Sequence, residues 1–221
     1  MTGGELSFTA IELFRALRLR GVRDSLQVAL SSRQDREFDS LYKIDTAGFD
    51  WKERGAGKPY RGVRVQPFSK LLSLLDLGER SGFVDFGAGK GRAMILAAQH
   101  GFKSITGVEI SKRLSEIAQS NISRVKPVWP TVNWRCIHAD AISYRPKPTD
   151  TVFFMYDSFS TDHEAKCLTR IRESQRESPR PVFWIYHNNF VRDLSAVAGI
   201  EHWKVQRHVV EGNYFFVSML L

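Results

Sequence analysis

Three glycines at alternate positions follow a short apolar stretch in the middle of the chain. They are Gly87, Gly89 and Gly91, within the sequence FVDFGAGKGR. Because glycine lacks a Cβ atom, a turn built from it can be tight and can bring its backbone close to a ligand. The spacing differs from the G-x-G-x-x-G of dinucleotide-binding loops, and the G-K-[ST] of P-loops is absent. The segment therefore predicts a nucleotide-type ligand on a glycine turn of a different kind.

Two acidic residues follow where further contacts to a nucleoside are expected. Glu109 closes the stretch GVE, and Asp140 lies in the stretch HADA. A carboxylate can accept two hydrogen bonds from a ribose diol, and a carboxylate on the next strand can reach an adenine amino group. The turn and both acids each come at the end of a predicted strand. Together they are much more specific than the glycine turn alone.

The segments around these residues alternate between strand-like and helix-like patterns. This alternation predicts an α/β fold with a doubly wound, mostly parallel sheet, and the nearly continuous apolar runs fit strands buried on both faces. The tail EHWKVQRHVVEGNYFFVSMLL predicts an antiparallel hairpin that turns near EGN. The predicted strands of the parallel part are 82–86, 104–110, 131–141, 150–159 and 180–190, and the predicted helices are 91–101, 111–125 and 162–177.

The chain resembles class I S-adenosylmethionine-dependent methyltransferases from about residue 60 to its C-terminus. VDFGAGKGR resembles their first motif, GVEIS their second, HADA their third and FFMYDSF their fourth. The resemblance implies a Rossmann-like, seven-stranded sheet with a C-terminal antiparallel hairpin. It also implies that the protein is an enzyme with S-adenosylmethionine as its cofactor.

The resemblance assigns a part of the cofactor to each motif. Asp85 would approach the amino group of the methionine moiety, Glu109 would hold the ribose and Asp140 the adenine, while the methionine moiety packs on the glycine turn. The cofactor-binding residues implied in this way are Asp85, Gly87, Ala88, Gly89, Gly91, Glu109, Asp140 and Ala141.

Simpler interpretations of the same residues stay open at this point. The glycines also suit a purely structural turn, Glu109 a charge that favours a helix N-terminus, and Asp140 an ordinary loop acid. Lys90 and Arg92 are predicted to be solvated or helix-start charges rather than cofactor contacts.

The residues after the fourth predicted strand are the candidates for the acceptor site. Amino-group methyltransferases of the family often carry an acidic or amide residue, prolines and an aromatic residue there. Asp157 matches the first of these and Phe159 the last, whereas Ser158 stands where proline is usual. Tyr156, Asp157 and Phe159 are therefore the predicted catalytic residues, with Asp157 as a cap of the following segment as the alternative.

The further resemblance to bacterial methyltransferases related to lysine-modifying enzymes predicts a nitrogen acceptor, such as a protein lysine. The alternative, which Ser158 leaves open, is a catalytically inactive cofactor- or nucleic-acid-binding protein with the same fold. His187, at the end of the fifth strand, is predicted either to face the acceptor pocket or to be a loop histidine.

Residues 1–66 are predicted to be a helical and lid segment that precedes a methyltransferase domain over residues 67–221. The stretch before Pro67 reads as a loop that leads into a helix. The family resemblance implies a lid over cofactor and substrate, with Tyr60, Arg61 and Arg64 as candidates to close it.

Composition and net charge limit the classes of partner that we expect for the protein. The chain has 221 residues, a net charge of +8, 43% hydrophobic and 25% charged residues, which is typical of soluble globular proteins. The basic balance favours an anionic partner, but it is spread along the chain, so a protein or small-molecule acceptor is favoured over nucleic acid. The absence of a secretory signal, of a membrane-spanning apolar run and of metal-type cysteine spacing predicts a cytoplasmic protein without a metal site or membrane partner.

Overall fold

The alternating strand and helix patterns form one seven-stranded sheet in a computed structural model of the chain, which describes residues 30–55, 58–157, 159–188, 194–197 and 199–220. The helices are α1 (30–42), α2 (Val65–Leu74), α3 (Arg92–Gln99), α4 (Lys112–Val125) and α5 (Thr161–Glu177). The strands are β1 (Phe49–Gly55), β2 (Lys58–Arg61), β3 (Gly82–Phe86), β4 (Ser104–Glu109), β5 (Asn133–His138), β6 (Val152–Tyr156), β7 (Val182–Asn188), β8 (Lys204–Val210) and β9 (Asn213–Leu220). Short 3₁₀ turns lie at Ala141–Ser143, Leu194–Ala196 and Ile200–His202.

The sheet has the strand order β5-β4-β3-β6-β7-β9-β8. Five strands from β5 to β7 are parallel, and β9 runs antiparallel to both β7 and β8. The predicted fold class, a doubly wound and mostly parallel seven-stranded sheet with a C-terminal antiparallel hairpin, is confirmed. The strand order reverses between β3 and β6, which places the carboxyl ends of β3, β4 and β6 beside a crevice suited to ligands.

Two separate hydrophobic clusters cover the two faces of the sheet. One face packs against α2, α3 and α4 around side chains such as Phe68, Phe83 and Met94. The other packs against α5 around Leu168 and Trp184. Successive residues of one strand point to opposite faces, so the inner strands β3, β6 and β7 are apolar at nearly every position.

Helix and turn boundaries follow from local chemistry. Ser111 caps α4, because its Oγ accepts a hydrogen bond from the N–H of Leu114 at 3.2 Å. Ser160 caps α5 through the N–H of His163. The β8–β9 hairpin turns at Glu211 and Gly212, both in the left-handed region with φ of 50° and 73°, the backbone that a two-residue hairpin requires.

The prediction that residues 38–66 form a loop is wrong in two places. Residues 38–42 continue α1, and Phe49–Arg61 contains an antiparallel hairpin of β1 and β2. This hairpin pairs only with itself, and its sequence lacks the apolar alternation that marks a half-buried strand. The predicted domain boundary at residue 66 falls in the first turn of α2, where Pro67 is tolerated because its missing N–H has no helical partner there.

The edge strands of the sheet expose charged side chains. Arg135 on β5, and Lys204 and Arg207 on β8, are all exposed to solvent. None of the helices within the described ranges is long and apolar enough to cross a lipid bilayer. The same part of the chain contains no cluster of three or more His, Cys, Asp or Glu residues that could bind a metal ion.

Candidate functional site

The glycine turn joins β3 to α3 at the carboxyl edge of the sheet. Gly87, Gly89 and Gly91 have φ of 75°, 54° and 86°, a region that residues with a Cβ rarely adopt. The N–H groups of Gly87 and Ala88 donate to the carbonyl of Val108 on β4, at 2.8 and 3.1 Å. The turn is therefore held against the neighbouring strand, and three left-handed residues in five positions explain why glycine recurs there.

Glu109 ties the end of β4 to the glycine turn. Its Oε2 accepts a hydrogen bond from the N–H of Gly89 at 2.7 Å, and its Oε1 accepts one from the N–H of Ser111 at 2.8 Å. The simpler interpretation of Glu109 as a favourable charge at a helix N-terminus is therefore incomplete, because the side chain also holds the glycine turn. Each carboxylate oxygen can accept more than one hydrogen bond, so the predicted ribose contact stays chemically available and remains a prediction.

Asp85 lies beside Glu109 and is almost fully buried, with 3% of its surface exposed. Burial, together with the negative charge of Glu109, raises the pKa of Asp85 to about 8. Asp85 is paired with Gly107 of β4, whose lack of a side chain leaves room for Ala88 and Met94. A buried carboxyl with a raised pKa beside a second carboxylate is a place where a cationic group would be stabilised.

Asp140 and Ala141 lie at the end of β5, as predicted, in a short 3₁₀ turn. Asp140 Oδ1 accepts a hydrogen bond from the N–H of Ile142 at 3.0 Å, and its Oδ2 lies 4.0 Å from His163 Nε2. Ala141 is buried in the cluster on the α5 face. The simpler reading of Asp140 as a turn acid is therefore satisfied by its geometry, and its part-exposed side chain also leaves the predicted adenine contact available.

Asp157 follows β6 directly and has an unusual backbone. Its φ is 37°, in the left-handed region that a non-glycine residue seldom adopts. Its Oδ1 accepts hydrogen bonds from Tyr186 Oη at 3.3 Å and from Asn188 Nδ2 at 3.5 Å. The N-cap of α5 is Ser160, so Asp157 does not cap that helix.

The other two predicted catalytic residues lie on opposite sides of Asp157. Tyr156 packs with the cluster on the α2–α4 face, and its ring stacks on His187 at a centroid distance of 4.2 Å. Phe159 packs with the cluster on the α5 face, where its ring lies 6.4 Å from that of His163. The two aromatic residues are therefore not brought together. Ser158, whose identity raised the question of activity, lies outside the described residues.

His187 is completely buried between the rings of Tyr156 and Phe215. Burial, reinforced by the positive charge of Arg61, lowers its pKa to about 3. The imidazole is therefore neutral at physiological pH and is a weak base. Its ring packs against Tyr156. It is unsuited as the base that removes a proton from an acceptor.

Lys90 and Arg92 are not solvated, but Arg92 is the first residue of α3, which agrees with the prediction of a helix-start charge. Lys90 Nζ lies 2.9 Å from Asp45 Oδ1, and the Arg92 guanidinium is 2% exposed and faces the carboxylates of Asp35 and Asp39 at 3.1 and 3.6 Å. Both cations flank the glycine turn and pair with acids from the N-terminal segment. The pairing with these acids was not predicted, because they lie more than 40 residues earlier in the chain, where no local pattern reveals it.

Tyr60, a predicted lid residue, lies directly on the glycine turn. A Cβ placed on Gly89 would overlap the Tyr60 ring. Lys90 Nζ lies 5.5 Å from the centre of the same ring. Of the other predicted lid residues, Arg64 pairs with Asp35 at 2.9 Å, and Arg61 lies near enough to His187 to affect its pKa.

Known proteins share a domain and a fold with this chain. Residues 83–177 match the family described as a methyltransferase domain. A SAM-dependent methyltransferase from Aquifex aeolicus matches with a TM-score of 0.54 and 16% identity over 70% of this chain and 89% of that one. Magnesium protoporphyrin IX methyltransferase from Synechocystis, a structure with bound SAM, matches with a TM-score of 0.53 and 14% identity over 70% and 78%. No curated protein sequence matches significantly.

Proposed function

We propose that this chain, a class I S-adenosylmethionine-dependent methyltransferase by its domain and fold, moves the methyl group to a nitrogen acceptor such as a protein lysine. The nitrogen acceptor is the part of this statement that goes beyond the family. It rests on one observation, the Asp157 carboxylate at the carboxyl end of β6, held by Tyr186 and Asn188.

The residues at the carboxyl edge fit the cofactor of the family. The turn from Gly87 to Gly91 presents backbone without side chains, and the two buried carboxyls of Asp85 and Glu109 flank it. Asp85 has a raised pKa, and a cationic amino group beside it would favour its ionised form. Asp85 would therefore hold the amino group and Glu109 the ribose, while the bound cofactor supplies an electrophilic methyl group on a sulfonium.

In this proposal Asp157 orients the amine. β3 and β6 are neighbours in the sheet, with Phe86 opposite Met155, so the glycine turn and Asp157 emerge side by side. The Asp157 carboxylate would accept an N–H from the acceptor and turn the nitrogen lone pair toward the turn. Its negative charge would also stabilise the positive charge that the nitrogen gains. Methyl transfer depends mainly on such alignment of the reacting atoms.

The proton of the acceptor is expected to leave to solvent. His187 is buried and neutral with a strongly lowered pKa, so it is excluded as the base. A lysine acceptor must be neutral before it can attack, so the rate should rise with pH toward the pKa of a lysine amine. This gives the amine proposal a kinetic signature that an acceptor without a titrating group lacks.

The test is a transfer assay with labelled S-adenosylmethionine on cell extract treated with protease, with nuclease or with neither. Label that disappears after protease treatment and is recovered in methyl-lysine supports the proposal. Label in nucleic acid contradicts a protein acceptor, and label in an ester contradicts a nitrogen acceptor. Binding of the cofactor measured by calorimetry, with no transfer to any fraction, would favour the inactive cofactor-binding alternative.

A further inference from the structure

The N-terminal segment, residues 30–66, contacts the cofactor turn through a buried hydrogen-bonded cluster. We call Asp39, Thr46, Tyr60 and Arg92 the Thr46 cluster. Thr46 is fully buried, and its N–H and Oγ1 both donate to the Asp39 carboxylate. Its Oγ1 accepts a hydrogen bond from Arg92 Nε at 2.8 Å, and its carbonyl accepts one from Tyr60 Oη at 2.9 Å. One residue thus connects α1, β2 and the first turn of α3.

The cluster compensates for a charge that α3 would otherwise disfavour. Arg92 is the first residue of α3, where the helix dipole is positive and a cation is unfavourable. Two carboxylates from α1 lie within 3.1 and 3.6 Å of its guanidinium, which also donates to the carbonyl of Val63 at 3.1 Å. All these partners belong to residues 30–66. The docked segment therefore compensates the positive charge of Arg92 at the start of α3.

The Tyr60 ring, held by this cluster, closes over Gly89. The ring lies so near the Gly89 Cα that a methyl group there would overlap it. Gly62 makes a matching close approach, since a Cβ on it would lie 2.9 Å from the Thr46 carbonyl oxygen. Burial and the charges of Asp39, Asp45 and Asp85, opposed by Arg92, raise the pKa of Tyr60, so its phenol is neutral and lies near the carboxyl that we assign to the cofactor.

We propose that Tyr60 is a positioning residue of the cofactor site, that its ring on Gly89 sets the rate at which cofactor and product leave, and that this ring, in addition to the left-handed backbone at φ of 54°, requires a glycine at position 89. The inference rests on the proposed function, because it assumes that the turn binds S-adenosylmethionine. It adds a residue from outside the matched domain to the cofactor site. It also makes the N-terminal segment part of that site rather than a separate unit.

Two observations distinguish this inference from a merely structural contact. The ring covers Gly89, whose N–H donates to Glu109, the predicted ribose residue. In addition, Lys90, the next residue, lies 5.5 Å from the ring centre and pairs with Asp45 of the same segment. Displacement of the segment would therefore disturb both sides of Gly89 together.

The experiment is a double-mutant cycle with Tyr60→Ala and Gly89→Ala, using S-adenosylhomocysteine as the probe. Its dissociation rate constant is measured by stopped-flow tryptophan fluorescence, and the melting temperature of each variant is measured without ligand. We expect Tyr60→Ala to release the probe at least tenfold faster. Tyr60→Phe, which keeps the ring and loses the hydrogen bond to Thr46, should release it less than threefold faster. Arg33→Ala, which removes an exposed ion pair on α1, is the control.

Two features could require a glycine at position 89, the left-handed backbone at φ of 54° and the Tyr60 ring. The cycle separates them. If the ring requires it, Gly89→Ala accelerates release about as much as Tyr60→Ala, and adds less than threefold in the Tyr60→Ala background. An equal effect of Gly89→Ala in both backgrounds would overturn the inference. So would a Tyr60→Ala variant that releases the probe at the wild-type rate. Should Tyr60→Ala not fold, Tyr60→Leu takes its place in the cycle. A wild-type protein that does not bind the probe would overturn the proposed function as well, which is a different result from normal binding with unchanged release.

Discussion

Arg92 Nη1 lies 3.1 Å from Asp35 Oδ2, and both side chains are almost completely withdrawn from solvent. The same Asp35 carboxylate accepts hydrogen bonds from Arg64 and from the N–H of Val65. Asp35 of α1 therefore compensates the charge of Arg92 at the start of α3. It also accepts a hydrogen bond from the first residue of α2. The N-terminal segment is therefore joined by a buried ion pair to the helix that follows the glycine turn.

Asp35→Asn should destabilise the protein by about 3 kcal/mol, because removal of one partner leaves the buried guanidinium of Arg92 poorly compensated. The measurement is urea unfolding followed by tryptophan fluorescence. Glu37→Gln on the same helix is the matched control. Its partner Arg33 is exposed, so the change should cost about 1 kcal/mol or less. Equal losses in the two variants would show that the buried pair has no special weight.

Glu109→Ala should weaken binding of S-adenosylhomocysteine at least tenfold, since a hydrogen bond to a charged group contributes about 1.5–3 kcal/mol. It should also lower the melting temperature without ligand, because the N–H groups of Gly89 and Ser111 lose their acceptor. Calorimetry and thermal unfolding check the two effects, with the exposed Glu79→Ala as control. A lower melting temperature with an unchanged dissociation constant would restrict Glu109 to holding the turn.

Asp157→Asn should leave the fold and cofactor affinity nearly intact and lower single-turnover methyl transfer by orders of magnitude. Asparagine tolerates the left-handed backbone at φ of 37°, but it lacks the negative charge that would stabilise the methylated nitrogen. Asp157→Gly provides a second variant, which relieves the backbone strain and should be at least as stable as Asp157→Ala. Full transfer by the asparagine variant would rule out the catalytic role.

The stability of the protein should fall as the pH rises from about 4 to about 8 through the contribution of Asp85. Its pKa is about 8 in the folded state against an ordinary value of 3.8. The folded state therefore keeps a proton that the unfolded state loses, and the contribution is complete below pH 4. The loss is at most about 1.4 kcal/mol for each pH unit. Asp85→Asn should remove it, which a comparison of urea unfolding at pH 5 and pH 8 would reveal as a smaller pH dependence in the variant.

The contribution of His187 has the opposite sign. Its pKa is about 3 in the folded state against an ordinary 6.5, so the stability that it contributes is present above pH 6.5 and is lost as the pH falls toward 3. His187→Phe keeps an aromatic ring between Tyr156 and Phe215 and should lose less stability than the wild type between pH 6.5 and pH 4. An identical acid profile in the two proteins would contradict the burial of a neutral imidazole.

The sheet and the motif positions were predictable because they depend on local patterns. The apolar run of β3 is buried on both faces, and the glycines after it are required by the left-handed backbone of the turn. Both features depend on neighbouring residues alone. The end of β4 at Glu109 and the cap at Ser111 follow in the same way. Such features can be read from windows of a few residues.

The contacts of the N-terminal segment were not predictable in this way. Asp35 and Asp39 are spaced as on any solvated helix face, and Arg92 looks like an ordinary charge after a glycine. Their burial follows from a pairing over more than 50 positions of chain. The donors to Asp157 have the same character, because Tyr186 lies in a run that reads as pure core. Tyr60 was recognised as a lid candidate, but not its contact with Gly89.

The outer strands of the sheet bear on how the protein behaves at high concentration. A strand at an edge leaves a row of backbone N–H and C=O groups that a strand of another molecule could extend. Here β8 carries Lys204 and Arg207 on that edge, and β5 carries Arg135 on the other. Any two copies that met edge to edge would bring like charges together, in a chain of net charge +8. Electrostatic repulsion therefore guards against sheet-to-sheet aggregation, and this protection weakens as salt shortens the screening length to about 3 Å at 1 M.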